Sequence, residues 1–288
     1  MNWIFFSLLY AIFNAIYVNY NAKYHFNGYV LGIVRGFGIS FLLFPLIFTT
    51  NLNLSFDMFL VLVLQGVLIG FYDSHIFFAS SLYGAHTTSG FMSLSVIITL
   101  LLWWSIRFND LEELLNEGNR ILTLCLIVSA ITVSYWQMMK VHIKKQAEAY
   151  LYPLVFALAL MSIATRYIAL YSTNIYDGII YYLTISCFIS GIYNLIMYLI
   201  FVVFRKPKTK IKTITFKPMF WLVIFSMVLI ASKSIALREA NNPCYVVALL
   251  LLSPIIADII KYKRINLNYN ALVFLCFIVL LILFSKNN

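Results

Sequence analysis

Apolar stretches long enough to cross a bilayer recur along nearly the whole chain. They fall at 2–20, 28–48, 57–79, 86–106, 119–138, 149–170, 176–204, 217–237, 244–262 and 269–285. A spanning helix takes about 20 mostly apolar residues, because each residue rises about 1.5 Å through a hydrocarbon layer about 30 Å thick. The pattern therefore predicts an all-α integral membrane protein with ten transmembrane helices.

Composition removes the soluble alternatives. The chain is 63% hydrophobic and 10% charged, against roughly 25% charged residues in an ordinary soluble domain. The apolar runs are continuous and lack the period-two alternation of a membrane β-barrel. Polar connections are short, the longest being Arg107–Arg120 and Arg205–Lys217, so any chemistry is expected among the helices. The first apolar segment follows no basic region and is not closed by a small-residue cleavage site, so it reads as a retained helix and not a leader. Cys125, Cys187, Cys244 and Cys276 stand singly. Their spacing offers neither a disulfide framework nor a metal site, and small packing residues is their expected role.

A net charge of +10 raises the question of nucleic acid, but the charges lie in loops. If alternate loops share a side, one side holds Lys23, Lys140, Lys144, Lys145, Arg205, Lys206, Lys208, Lys210, Lys212, Lys217, Lys261, Lys263 and Arg264, against Glu148 as its acid. The other side holds Arg107, Arg120, Arg238 and Lys286, facing Asp57, Asp110, Glu112, Glu113, Glu117, Asp177 and Glu239. Such asymmetry is a topology signal, and it suits anionic lipid headgroups as the partner, not nucleic acid.

The second half of the chain repeats the first in outline. Asn14–Tyr20 aligns with Thr165–Tyr171, and Ser81–Leu111 with Ala236–Leu267. In the latter pair a small residue and Leu (Ser81-Leu82, Ala236-Leu237) lead through a short turn into an apolar helix with a polar end. That division gives a first five-helix repeat at 1–138, a connecting loop at 139–148 and a second repeat at 149–288. An odd number of spans per repeat sends the second copy through the membrane the other way. The halves are expected to form an inverted repeat with a site near the midplane where they meet.

At these residues the chain resembles the drug/metabolite transporter superfamily in its ten-helix EamA-type branch. The small-Leu dipeptides, Ser253-Pro254 in the ninth segment and Arg35 in Gly32-Ile-Val-Arg35-Gly36-Phe carry the likeness. Ser95-Val96 stands where a Ser-Pro would fit the fourth segment, and the family's usual terminal Glu is missing from both copies. The resemblance implies alternating access of two halves around a cavity lined by helices 1, 3, 4, 6, 8 and 9. It also implies cytoplasmic termini, whereas the basic side of the chain argues for termini facing outwards.

An ionisable residue within a span is a functional candidate by default, since a charge at the bilayer centre costs about 2.5–3.5 kcal/mol on insertion scales. The intramembrane set is Arg35, Asp73, His75, Arg166, Lys233 and Asp258. On the resemblance, all but Arg35 fall on cavity-forming helices. Arg166 can grip a carboxylate or phosphate with two parallel donors; its other reading is internal glue, paired with Asp73 or with backbone carbonyls. Lys233 offers a compact second cation or snorkels to the interface. Asp73 and His75, two positions apart, cannot share a helix face, so one lines the cavity and the other packs. Either is a candidate proton carrier, with a static counter-ion and a packed imidazole as the alternatives. Asp258 follows Pro254 by one turn, where a broken helix exposes carbonyls, or else pairs with Lys261. Asn14, Ser89 and Ser93 are polar cavity candidates, and Tyr167, with Tyr83 and Tyr171, a candidate stacking surface. Gly32/Gly36 and Gly66/Gly70 have the spacing of close helix packing.

Gly-rich phosphate loops, zinc-ligand clusters, nucleophile elbows and paired carboxylates are missing from the sequence, so an enzyme and a cofactor are not expected. The expected function is secondary transport of a small polar metabolite, anionic or zwitterionic, driven by protons or exchange. A lipid-handling protein or enzyme and an accessory subunit are the alternatives. Ile-, Asn- and Lys-rich usage suits an AT-rich bacterial genome and hence an inner membrane. Monomer and homodimer are both left open.

Overall fold

Caps made by short polar side chains start the helices. Asn27 Oδ1 accepts from the backbone N–H of Tyr29 at 2.9 Å, Ser55 Oγ from Met58 at 3.2 Å and Asn242 Oδ1 from Cys244 at 2.9 Å. Asn174 and Asp177 cap reciprocally: Asn174 Oδ1 accepts from the Asp177 N–H and its Nδ2 donates to Asp177 Oδ2, both at 2.9 Å. Each cap satisfies donors that would otherwise face lipid or protein unpaired.

The computed structural model describes residues 2–24, 27–50, 54–83, 88, 91–92, 94–109, 128–129, 132, 145–172, 174–204, 216–240, 242–250 and 252–262. Among the described residues all regular structure is helical. The helices are α1 (Asn2–Tyr24), α2 (Gly28–Leu43, prolonged by a 3-10 segment Phe44–Thr49), α3 (Phe56–Tyr83) and α4 (Ser95–Ile106). They continue with α5 (Lys145–Tyr171), α6 (Ile175–Phe204), α7 (Phe216–Glu239), α8 (Pro243–Leu250) and α9 (Leu252–Tyr262). Among the described residues five apolar segments are long enough to cross a membrane: Gly28–Thr49, Phe56–Ala79, Glu148–Tyr171, Ile175–Phe204 and Lys217–Glu239. The described part of the chain is all-helical, and its five long apolar helices are those of a multi-pass membrane protein.

Those five match the expected spans at 28–48, 57–79, 149–170, 176–204 and 217–237 to within a few residues. The expected span at 2–20 is α1, and that at 86–106 is described as a continuous helix only over α4. The span at 244–262 is described as α8 and α9, on either side of position 251. Most of 119–138 and all of 269–285 lie outside the described residues. α5 starts at Lys145, inside the stretch read as the 139–148 connecting loop.

Packing brings sequence-distant helices together. α1 lies against α7, α8 and α9; α2 against α6 and α7; α3 against α5 and α6; and α4 against α5 and α8. Glycines set the closest crossings. A Cβ on Gly36 would stand 2.5 Å from the Gly191 nitrogen and 2.7 Å from the Cys187 oxygen. Gly32 faces the Asn194 side chain, Gly66 faces Ile189, and Gly70 faces Tyr193. Both glycine pairs thus receive α6, the close-packing role expected of their spacing.

Helix α6 is not uniform. Its α-helical parts, Ile175–Tyr181 and Cys187–Tyr198, are joined by π-helical Tyr182–Ser186, and a second π segment, Leu199–Phe204, ends it. Ser40 of α2 donates to the Thr184 carbonyl at 2.9 Å, and Ser186 donates to the Leu62 carbonyl of α3 at 2.8 Å. Looser turns free backbone carbonyls, which in a bilayer must find partners inside the protein, as the Thr184 carbonyl does in Ser40; the Ser186 bond instead ties the π segment to α3. Hydroxyls within other helices fold back onto their own carbonyls instead, as Ser74 does to Gly70 at 2.8 Å and Thr165 to Met161 at 2.7 Å.

Candidate functional site

Arg35 and Asp73 form a buried ion pair, Arg35 Nη1 donating to Asp73 Oδ2. Each residue is 7% exposed. Arg35 lies about two turns inside α2. Its guanidinium carbon stands 5.8 Å from the ring centroid of Tyr17 on α1. Burying either charge alone would be costly, whereas a hydrogen-bonded pair offsets much of the lost hydration.

Lys233 of α7 shares this interior. It is 3% exposed, and its Nζ stands 5.9 Å from the ring centroid of Tyr10. Asp73 lies in the field of Arg35 and, more weakly, of Lys233. Among the described residues Lys233 has no hydrogen-bond acceptor and no salt bridge. A second polar group adjoins on the α6 side. Gln65 of α3, fully buried, donates to Thr165 Oγ1 of α5 and to the Tyr182 hydroxyl, both at 2.9 Å. The fields of Arg35 and Asp73 reach Tyr10, and that of Arg35 also reaches Tyr182, so the two groups belong to one buried polar region, the polar centre. It draws on α1, α2, α3, α5, α6 and α7.

The expected site residues divide. Asp73 and Lys233 belong to this centre. Asn14 of α1 donates to Ser253 Oγ of α9 at 2.8 Å and so ties two helices together. Arg166 is 7% exposed and takes the internal-glue role: its Nη1 donates to the carbonyls of Leu237 and Ala240, where α7 ends. Its guanidinium carbon stands 4.6 Å above the Trp103 ring of α4. A cation there meets the negative end of the helix dipole as well as two lone-pair acceptors.

His75 is half-buried, with its Nδ1 2.8 Å from the Phe71 carbonyl and its ring 4.5 Å from that of Phe71 and 5.9 Å from that of Tyr150. It is a packed imidazole on a face other than that of Asp73. Tyr167 stacks on Tyr171 at 4.3 Å, so the pair is an aromatic face of its own and not part of the central site. Ser89, Ser93 and the side chains of Pro254 and Asp258 lie outside the described residues.

Sequence reasoning missed Gln65, Tyr10, Tyr17 and Tyr182, and it left Arg35 without a role in the site. The signal for Gln65 was present: a primary amide in the apolar run Val61-Leu-Val-Leu-Gln65-Gly66 is as conspicuous as a charge. The tyrosines carried no such signal, because an interfacial ring and a central one have the same composition. Cys187 and Cys244 are buried and free, as expected of packing residues. Among the described residues no group of His, Cys, Asp and Glu is arranged to hold a metal ion. A scan against protein-family models and a search of curated proteins both return no match for this chain.

Proposed function

We propose that this protein is a secondary transporter. It carries a small polar solute, anionic or zwitterionic, across a bacterial inner membrane by alternating access of two inverted five-helix repeats. The observation that carries the reading is Lys233, a cation buried in the bundle without an acceptor among the described residues, beside an ion pair. α2 and α3 come from the first repeat and α7 from the second, so the polar centre lies where the two copies meet, as inverted-repeat transporters arrange their sites.

The packing pattern supports the repeat. Exchanging each span for its counterpart five spans later turns the α1–α7 contact into α5–α3, and α1–α8 into α5–α4. It likewise turns α2–α7 into α6–α3, while α2–α6 and α4–α8 map onto themselves. This agrees with the EamA-type resemblance of the sequence. The buried polar groups break the symmetry, so substrate contacts differ between the halves. Energy comes from a proton gradient or from exchange.

Reconstitution tests the reading. Purified protein in liposomes should support solute uptake that Lys233→Gln abolishes. Chemical conversion of the solute without flux would instead favour a membrane enzyme. Reporter fusions at Asn288 decide orientation, with an external C-terminus expected from the loop charges.

A further inference from the structure

We infer that the polar centre binds a water-soluble monocarboxylate with an otherwise uncharged body, Lys233 supplying its counter-charge. This rests on the transporter reading and narrows its substrate class.

The inventory of buried charge carries the inference. Among the described residues the buried charged side chains are Arg35, Asp73, Arg166, Asp177 and Lys233. Asp177 is bound into the cap of α6 by Asn174. Arg35 is held by Asp73, and Arg166 is held by the carbonyls of Leu237 and Ala240. Only Lys233 is left without a hydrogen-bond acceptor among these residues, its described partner being the face of Tyr10. An ammonium carries three donors and no acceptor. In a protein interior inside a bilayer such a group calls for an anion that brings lone pairs with it.

The same inventory limits what that anion is. The buried set, Arg35, Arg166 and Lys233 against Asp73 and Asp177, carries one net positive charge, so a monoanion neutralises it, whereas a dianion such as a phosphate ester brings an excess charge into the bundle. A zwitterion brings an ammonium, and the buried carboxylate near Lys233, Asp73, already receives Arg35. The body of the ligand meets rings: Tyr10, over which Lys233 Nζ stands, and Tyr72 and Tyr182, each within electrostatic reach of Tyr10; Tyr10 and Tyr182 are buried and Tyr72 is partly buried. Aromatic walls with hydroxyl edges suit an apolar or aromatic body with few hydrogen-bonding groups.

The test is thermal unfolding of the full-length protein in detergent with a matched series at millimolar concentration. The probes are 3-phenylpropionate, phenylalanine, phenethylamine, phenyl phosphate and, as a membrane-derived carboxylate, oleate. The expected result is a rise in Tm of a few degrees with 3-phenylpropionate. That rise should be retained in part by Lys233→Arg and lost in Lys233→Met. An equal or larger shift from phenylalanine, phenethylamine or phenyl phosphate overturns the inference. So does no shift from any probe, a 3-phenylpropionate shift that survives in Lys233→Met, or a shift from oleate alone. If Lys233→Met does not fold, the wild-type ranking of the probes decides by itself. Flux of 3-phenylpropionate into liposomes is measured separately. Lys233-dependent binding without flux removes the transporter and keeps the carboxylate site; flux of other solutes without carboxylate preference does the reverse.

Discussion

Arg35 and Asp73, 38 positions apart in the chain, meet as a hydrogen-bonded ion pair that ties α2 to α3 inside the bundle. The pair explains why a carboxylate is tolerated in α3 at all, and it commits Asp73 before any ligand arrives.

Breaking the pair should cost more than deleting it. Removing one partner leaves an uncompensated buried charge, which costs about 3–5 kcal/mol, whereas replacing both with neutral groups of similar size is far milder. Asp73→Asn and Arg35→Gln are each expected to lower Tm strongly, and the double variant to regain much of the loss. A double-mutant cycle on thermal unfolding measures this; additive effects would show that the two side chains do not interact.

The crossing of α2 and α6 should reject any side chain at Gly36. A Cβ there meets backbone of Gly191 and Cys187, which cannot swing aside. Overpacking of this kind costs about 1–3 kcal/mol, so Gly36→Ala should destabilise the protein and Gly36→Val should prevent folding. Gly38→Ala is the control, because the nearest atom to its Cβ is a Val223 methyl at 3.1 Å. Detergent-solubilised yield and Tm should rank Gly38→Ala, Gly36→Ala, Gly36→Val in falling order.

Arg166→Lys should behave as a disruptive change despite keeping its charge. A lysine ammonium can serve two carbonyls from one nitrogen, as Nη1 does, but it has no planar face to lay over Trp103. A desolvated cation–ring contact contributes about 0.5–2 kcal/mol, so a loss of about that size is expected. The end of α7 should also loosen, which maleimide labelling of Cys244 reports. This thiol is 1% exposed and should react faster in Arg166→Lys than in the parent, in a background where the other cysteines are serine.

Asn14→Ala should have a small effect on stability. Hydrogen bonds between membrane helices average about 0.6 kcal/mol in double-mutant cycles, and the single bond to Ser253 is of that kind. A Tm change beyond a few degrees would mean that Asn14 does more than join α1 to α9.

Much of the architecture was legible because its signal is local. Five spans agree between sequence and structure to within a few residues, since hydropathy over about 20 residues is enough to commit a helix to a bilayer. The roles of Gly32/Gly36 and Gly66/Gly70 were legible for the same reason: a bare face at one-turn spacing has few other uses. The opposed faces of Asp73 and His75 followed from helix periodicity, and the structure has one in the centre and the other packed between rings.

Partner choice was not legible. Arg166 and Asp73 are both strong candidates by residue type, yet Asp73 pairs with Arg35, and Arg166 closes the end of α7. Which charges meet depends on which helix faces turn toward each other and at what depth, and neither is written in a local pattern. The amino-acid sequence by itself determined the medium, the helices and the small set of polar residues that the bilayer tolerates, because burying an apolar stretch needs no partner. Only the tertiary structure decided which of those polar groups neutralise one another and that, among the described residues, Lys233 is left without an acceptor, because compensation of a buried charge is a property of pairs.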